Sequence, residues 1–426
     1  MAEHKDHPQE VRPRTAVLTR GFDPSLSVGS ARPAVFRSST YVFSSPELAE
    51  RAFDIMSGRA KATPGESVDL IYSRFNHPNA QILEDQIVPL EQGAHAACVF
   101  NSGMAAIMTA FLTFSKPGDT IAYSVPIYGG TQHMLEDFLE PWGIHGAPFR
   151  AGNAAEMEAA ILGAPNLSQV IIETPANPTL KMTDLRAAVA AIERRAATGA
   201  PRPLLVVDNT FLGPAFQHPL LVGADIIIYS ATKYLSGFSD MIAGVALASD
   251  PALIAKLRSK RGLFGNILQP DECWMLDSRL PTVGLRMNRA SKNAQHIAEA
   301  LNGNPKIAKV FYPTLFDDPD QARIYQEQCD YPGAIVSIDL QGGKPAAFDF
   351  LRSIKIGKNA VSLGGVETLV CHPKSTTHSG FSDQECELAG VTDGLVRISV
   401  GVEDWRDLLH DFQQALETIR EPAFVG

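Results

Sequence analysis

Apolar residues in this chain recur with two different periods. Short apolar runs within 169–174, 204–210 and 224–229 are rich in Val and Ile, which predicts buried strands, and 120–124 reads as a further short strand. Stretches at 79–90, 102–114 and 184–196 follow a helical pattern instead. Strand and helix alternate from 79 to about 250, which predicts a mostly parallel, doubly wound α/β sheet. From 250 to 302 the pattern is largely helical, 334–340 alternates like a strand of an antiparallel sheet, and a helix closes the chain at 405–419. Residues 1–45 carry few periodic apolar positions and read as an extended arm that packs on another subunit. Ser45 followed by Pro46 predicts a capped helix to about Met56, and the Gly-, Pro-, Lys- and Ala-rich stretch 58–67 a flexible loop. The expected division is an arm at 1–78, a large domain at 79–278 and a smaller C-terminal α+β domain at 279–426.

Composition narrows the function classes. The 426 residues, 45% hydrophobic, suffice for a large core. A net charge of -10 argues against nucleic acid or an anionic membrane as partner. No apolar run reaches membrane-spanning length, and the segment from Met1 to His7 lacks a signal-peptide core. Cys98, Cys273, Cys329, Cys371 and Cys386 are scattered without a Cys-x-x-Cys pair. Neither a disulfide frame nor a metal site is therefore expected, and the expected compartment is the cytoplasm.

Two strand ends carry the chemistry. The run 224–229 leads into Ser230-Ala231-Thr232-Lys233-Tyr234, placing a lysine where a buried strand gives way to a glycine-bearing loop. Desolvation lowers an amine's pKa, and a neutral amine can form a Schiff base with an aldehyde. The run 204–207 delivers Asp208 at its carboxyl end, where open α/β sheets bind ligands. A pyridoxal phosphate enzyme needs a lysine for the aldehyde and an acid for the pyridinium nitrogen, and Lys233 and Asp208 fill those roles. Ser102-Gly103-Met104 opens a helix on small residues, whose free amides make a phosphate seat. Tyr128, followed by Gly129 and Gly130, suits a flat heterocycle. Arg397 in the run 395–401 is a candidate bidentate clamp for a substrate carboxylate.

Ser-Ala-Thr-Lys-Tyr at 230–234 behind a hydrophobic strand, with Val-Asp-Asn-Thr at 207–210, resembles the cysteine/methionine-metabolism family of pyridoxal phosphate enzymes. That family contains methionine γ-lyase, cystathionine γ-synthase, cystathionine γ-lyase and the homoserine-ester sulfhydrylases. The resemblance covers about residues 15–420. It implies a fold-type I (aspartate aminotransferase-like) structure, with Arg279 to Met287 leading into the smaller domain. It implies pyridoxal 5'-phosphate held covalently on Lys233, with Ser102, Gly103, Met104, Thr210, Ser230 and Thr232 around it. It implies that Tyr72 and Arg74 reach the cofactor phosphate of a neighbouring subunit, in a homodimer at least and a homotetramer by expectation. Tyr128 is expected to stack on the ring with its hydroxyl near the leaving group. Asn177 is expected at the phenolic oxygen and, with Ser362 and Arg397, beside the substrate. The family's usual Thr is replaced here by Asn79, and its common Asn by His77.

On this reading Lys233 is both carrier and base, and Tyr128 a proton donor. The family member follows from finer residues. Tyr128-Gly129-Gly130-Thr131 resembles the cystathionine enzymes, whereas methionine γ-lyases usually carry Cys at Gly130. Val361 stands before Ser362 where cystathionine enzymes usually carry Glu, and Leu369 to Pro373 resembles the methionine γ-lyase version. Valine suits a thioether without a distal amine, because an unpaired buried ammonium is costly. The expected reaction is γ-elimination on a sulfur amino acid, giving a thiol, 2-oxobutanoate and ammonia. γ-Replacement on an O-acylhomoserine is the alternative, ahead of a non-catalytic carrier or an aminotransferase. The stretch 46–68 is longer than the family's usual and is expected to reshape access to the site.

Overall fold

The computed structural model describes residues 12–18, 20–63, 66 and 68–419. The first eleven residues of the expected arm, three positions of the 58–67 loop and residues 420–426 lie outside the described residues.

Seven strands build the large sheet: β1 (Ala96–Phe100), β2 (Thr120–Val125), β3 (His145–Arg150), β4 (Leu167–Glu173), β5 (Leu204–Asp208), β6 (Ile226–Ser230) and β7 (Gly244–Ala248). Their order is β1-β7-β6-β5-β4-β2-β3, and only β7 runs against the rest. Both faces are covered, which is why the central strands read as continuous apolar runs. Leu205 and Val207 enter one core while Val206 enters the other, and Ile227 parts from Ile226 and Ile228 in the same way. Helix Leu185–Ala197 lies on the first face and helix Gly103–Phe114 on the second.

The chain moves outward from β2 to β3, then returns to β4 and proceeds the other way through β5 and β6. The direction reverses between β2 and β4, and open α/β sheets bind ligands at the carboxyl ends flanking such a reversal. The loops leaving those strands carry Tyr128 and Asn177, with Asp208 one strand along.

A second sheet holds β8 (Ile307–Phe311), β9 (Ile335–Leu340), β10 (Lys358–Asn359), β11 (Leu369–Cys371) and β12 (Leu395–Ser399), in the order β10-β11-β12-β9-β8. It is antiparallel apart from the β10–β11 pair. Arg397 sits on its central strand, between Cys371 and Ser337. The two sheets are tied at the site, where the Ser337 hydroxyl donates to the Pro178 carbonyl at 2.7 Å.

Helix starts follow the capping rules. Ser45 caps Pro46–Met56 and Ser102 caps Gly103–Phe114, each accepting a backbone N–H. The arm is less extended than its sequence suggests, with a helical turn at Pro13–Ala16 and another at Pro24–Ser27. It is pinned to the helix Pro270–Arg279 of its own chain by Arg32 on Asp277, Arg37 on Asp271 and the Trp274 indole on the Pro33 carbonyl. His77 and Asn79 also have structural work. His77 Nδ1 accepts from Ala80 N to cap helix Pro78–Ile87, which leaves Nε2–H to donate to the Leu268 carbonyl at 2.9 Å. Asn79 bonds the arm at Ala34 and Phe36.

Candidate active site

Lys233 follows β6 and points into a polar chamber between the two sheets. Its Nζ donates to the Ser362 hydroxyl at 2.6 Å. Burial, and then the positive charge of Arg397, pull the amine down to about 8. The loop that supplies Ser362 lies tight on the lysine backbone: a Cβ on Gly364 would fall 2.7 Å from Tyr234 N and 3.0 Å from the Lys233 carbonyl carbon. Gly364 has φ +79°, and Ser362 itself holds φ +85°, a left-handed conformation costly for a residue with a side chain.

Arg397 is buried and engages the same loop. Its Nη2 donates to the Ser362 carbonyl at 2.8 Å and its Nη1 to Asn177 Oδ1 at 3.0 Å. Its Nε is buried and makes no hydrogen bond within the chain. Lys233, Ser362, Arg397 and Asn177 thus form one connected polar chain.

Asp208 ends β5 with its carboxylate accepting from the Thr210 hydroxyl at 2.6 Å and the Thr210 amide at 3.1 Å. The Thr210 hydroxyl in turn accepts from Ser230 N at 2.9 Å. Burial raises the Asp208 pKa against the Thr210 hydrogen bonds. Behind it a buried amide–phenol–acid layer (Gln217, Asn209, Tyr229 and Glu91) fixes the backbone on which Asp208 and Ser230 stand.

Ser102 uses its hydroxyl as the helix cap, accepting from Ala105 N at 3.0 Å. The amides of Gly103 and Met104 are among the first-turn donors that a helix leaves without partners. Glycine at 103 lets the helix start lie close on β6: a Cβ there would meet Ser230 Cα and Cβ at 3.1 Å, a tight contact. The Thr232 hydroxyl is not free: it exchanges hydrogen bonds with the backbone of Ala243 at 3.0 and 3.2 Å. Tyr128 is 48% exposed, and its ring edge would lie 2.7 Å from a Cβ on Gly130.

Tyr72 and Arg74 lie apart from this group. They share a cleft with Arg37, Ser73 and Asp271 whose walls include none of Ser102, Asp208 or Lys233. Arg74 donates to the Gly262 carbonyl and stacks on Phe75, 4.5 Å from its centroid. The segment is anchored by the buried Glu84–Arg261 ion pair, whose arginine also donates to the Phe75 carbonyl at 3.1 Å.

Two residues at the chamber were missed by sequence reasoning. Glu173 ends β4 as a buried acid, the same signal that identified Asp208. It accepts from Tyr128 N at 2.8 Å and from Asn177 N at 3.0 Å. His378 is buried with Nδ1 beside the Thr377 hydroxyl at 2.8 Å and its ring next to the Asn177 backbone. Burial, and then Arg397, lower its pKa to about 4, so the ring is neutral near pH 7. Its sequence signal was weak, because a lone histidine in a polar loop has no periodicity to mark it.

These residues fit pyridoxal phosphate. The amine is shifted well below an ordinary lysine, an acid is buried at a neighbouring strand end, and the first-turn amides of a helix lie beside Ser230. Among the described residues the buried Arg397 Nε–H has no partner, which suits a carboxylate.

The family model described as Cys/Met metabolism PLP-dependent enzyme matches residues 14–417. An L-methionine gamma-lyase of Fusobacterium nucleatum is 37% identical over 393 residues, 92% of this chain and 94% of that protein. A cystathionine beta-lyase of Bacillus subtilis is 38% identical, covering 82% of this chain and 86% of that protein. The structure of a cystathionine gamma-lyase from Lactobacillus plantarum complexed with L-serine is similar at TM-score 0.85 and 31% identity, over 96% of this chain and 99% of that one.

Proposed function

This chain belongs to the Cys/Met metabolism PLP-dependent enzymes, and from that premise we propose that it cleaves the γ-carbon–sulfur bond of methionine or a close thioether amino acid. The catalysed change is methionine plus water giving methanethiol, 2-oxobutanoate and ammonia. When bound, pyridoxal phosphate supplies an electron-accepting ring that acidifies the protons of the attached amino acid.

The chain's own residues do the rest. Lys233 would hold the cofactor through Nζ and would take the substrate α-proton at that atom, with the Ser362 hydroxyl holding the nitrogen in place. Asp208 would pair with the ring nitrogen, and Thr210 orients its carboxylate. The amides of Gly103 and Met104, with Ser230 and Thr232 nearby, seat the phosphate. Arg397 takes the substrate α-carboxylate, and Asn177 sets the angle of its guanidinium. Tyr128 gives its phenolic proton to the departing sulfur. Tyr72 and Arg74 serve the phosphate of a neighbouring copy in a homodimer or a homotetramer, which accounts for their distance from their own Lys233. The arm at 1–78, the cofactor domain at 79–278 and the domain at 279–426 are the units of this assembly. Among the described residues no helix is long and apolar enough to cross a membrane, and we place the enzyme in the cytoplasm.

One observation carries the choice of thioether. The loop that hands Ser362 to Lys233 and Arg397 presents Val361 immediately before it, 52% exposed and apolar. A side chain of that kind offers nothing to a distal ammonium and suits a methylthio group. The test is incubation of the cofactor-loaded protein with methionine, cystathionine and O-acylhomoserines, with and without sulfide. Equimolar thiol and 2-oxobutanoate from methionine are expected. Cleavage of cystathionine with methionine untouched, or product only when sulfide and an acylhomoserine are both present, would overturn the assignment.

A further inference from the structure

The sheet reverses its winding between β2 and β4, so the loops that flank the site leave from two strands that the chain does not connect directly. Tyr128 lies on the first loop and Asn177 on the second. One buried side chain spans them. Glu173 Oε2 accepts from Tyr128 N at 2.8 Å, and Glu173 Oε1 accepts from Asn177 N at 3.0 Å. Its own amide donates to the Ser124 hydroxyl on β2 at 3.1 Å, so the backbone beneath is locked to the same pair of strands.

From this geometry we propose that Glu173 is a positioning residue that sets the ring-facing tyrosine and the Asn177–Arg397 carboxylate clamp at a fixed separation. The inference rests on the reading of the chamber as a cofactor and amino-acid site, and assigns Glu173 no contact with either ligand. Only a carboxylate can perform this task without rearrangement. It presents two acceptor oxygens to two N–H donors, whereas an amide of the same shape turns an NH₂ against one of them. A backbone donor left facing a donor is driven off, and its loop moves with it. The consequence passes to Arg397, whose Nη1 uses Asn177 Oδ1 as its stop. The charged groups that act on Glu173 are Asp208 and Arg397, of opposite sign. Burial, and then the Asp208 charge, raise its pKa to about 8, while the two backbone N–H bonds and Arg397 pull the other way by favouring the ionised form that the two-acceptor geometry requires.

Such a role predicts a loss divided between binding and chemistry. An error of an ångström in the placement of reacting groups can cost about a hundredfold in rate. Glu173→Gln is expected to raise the Kd of 4-(methylthio)butanoate, the thioether acid without an amine, by about tenfold in the cofactor-loaded protein. It is expected to lower kcat by about tenfold or more, and to change the visible circular-dichroism band of the bound chromophore, which reports the asymmetry imposed on the ring. Glu173→Asp keeps both acceptor oxygens on a shorter arm and is expected to recover most of the dichroism and part of the affinity. A Kd, kcat and dichroism within twofold of wild type for Glu173→Gln would overturn the inference while the wild-type chromophore left the cofactor assignment standing. Failure of the wild type to form a chromophore would overturn both. If Glu173→Gln does not fold, Glu173→Asp decides on affinity, with a several-fold higher Kd supporting the proposal and a Kd within twofold of wild type counting against it.

Discussion

Lys233 is tuned by burial rather than by an adjacent acid. With its amine near 8, about a tenth of it is neutral at pH 7, against roughly three parts in ten thousand for an ordinary lysine. Only the neutral amine attacks an aldehyde. Capture of pyridoxal phosphate by cofactor-free protein is therefore expected to accelerate as pH rises and to level off above about 8. Stopped-flow absorbance measures it, and a rate still climbing towards pH 10 would contradict the assignment. Arg397 makes the second residue-scale prediction. Its fork reaches Asn177 and the Ser362 carbonyl at once, which a lysine cannot copy. Arg397→Lys is expected to raise the KM for the amino acid by about 10- to 100-fold with a smaller change in kcat. An unchanged KM in steady-state assays would remove Arg397 from the carboxylate seat.

At the scale of elements, β7 shows what pattern reading could and could not reach. Continuous Val and Ile runs marked β4, β5 and β6, and the residues closing them marked Asp208 and the Lys233 loop. Strand β7 has Gly and Ala where a strand usually has branched residues, and its sequence gave no such mark. Its smallness serves packing: a Cβ on Gly244 would stand 2.1 Å from the Ser102 carbonyl oxygen, a backbone atom with no freedom to retreat. Gly244→Ala is expected to destabilise the protein by about 1–3 kcal/mol and to weaken cofactor retention, because it pushes on the phosphate seat. Thermal melting with and without added cofactor measures both effects, and a variant that melts and retains cofactor like wild type would contradict this. The edge strand β3 was equally hard to foresee, since its residues are half exposed and mixed in polarity. Helix caps at Ser45 and Ser102 were legible because a cap is local. The Ser362–Lys233 bond, the Glu173 span and the His77 cap-to-Leu268 bond join residues through the third dimension, where a single sequence carries little trace.

At the scale of the whole molecule, the proposed second copy would explain why Arg74 lies in a cleft that Lys233 does not line. A chain with Arg74→Ala and a chain with Lys233→Ala are each expected to lack nearly all activity alone. Unfolded together and refolded as mixed dimers, they would regenerate one complete site in each mixed pair, or about a quarter of wild-type activity after random association. No recovery on mixing would mean that Arg74 serves its own chain or none.

The most direct measurement is reduction of the cofactor-loaded protein with borohydride, followed by peptide mapping. One pyridoxyl group per chain, carried by the peptide that contains Lys233, is expected, with none on the Lys233→Ala protein. A protein that stays colourless with added pyridoxal phosphate, or a label on any other lysine, would contradict the account.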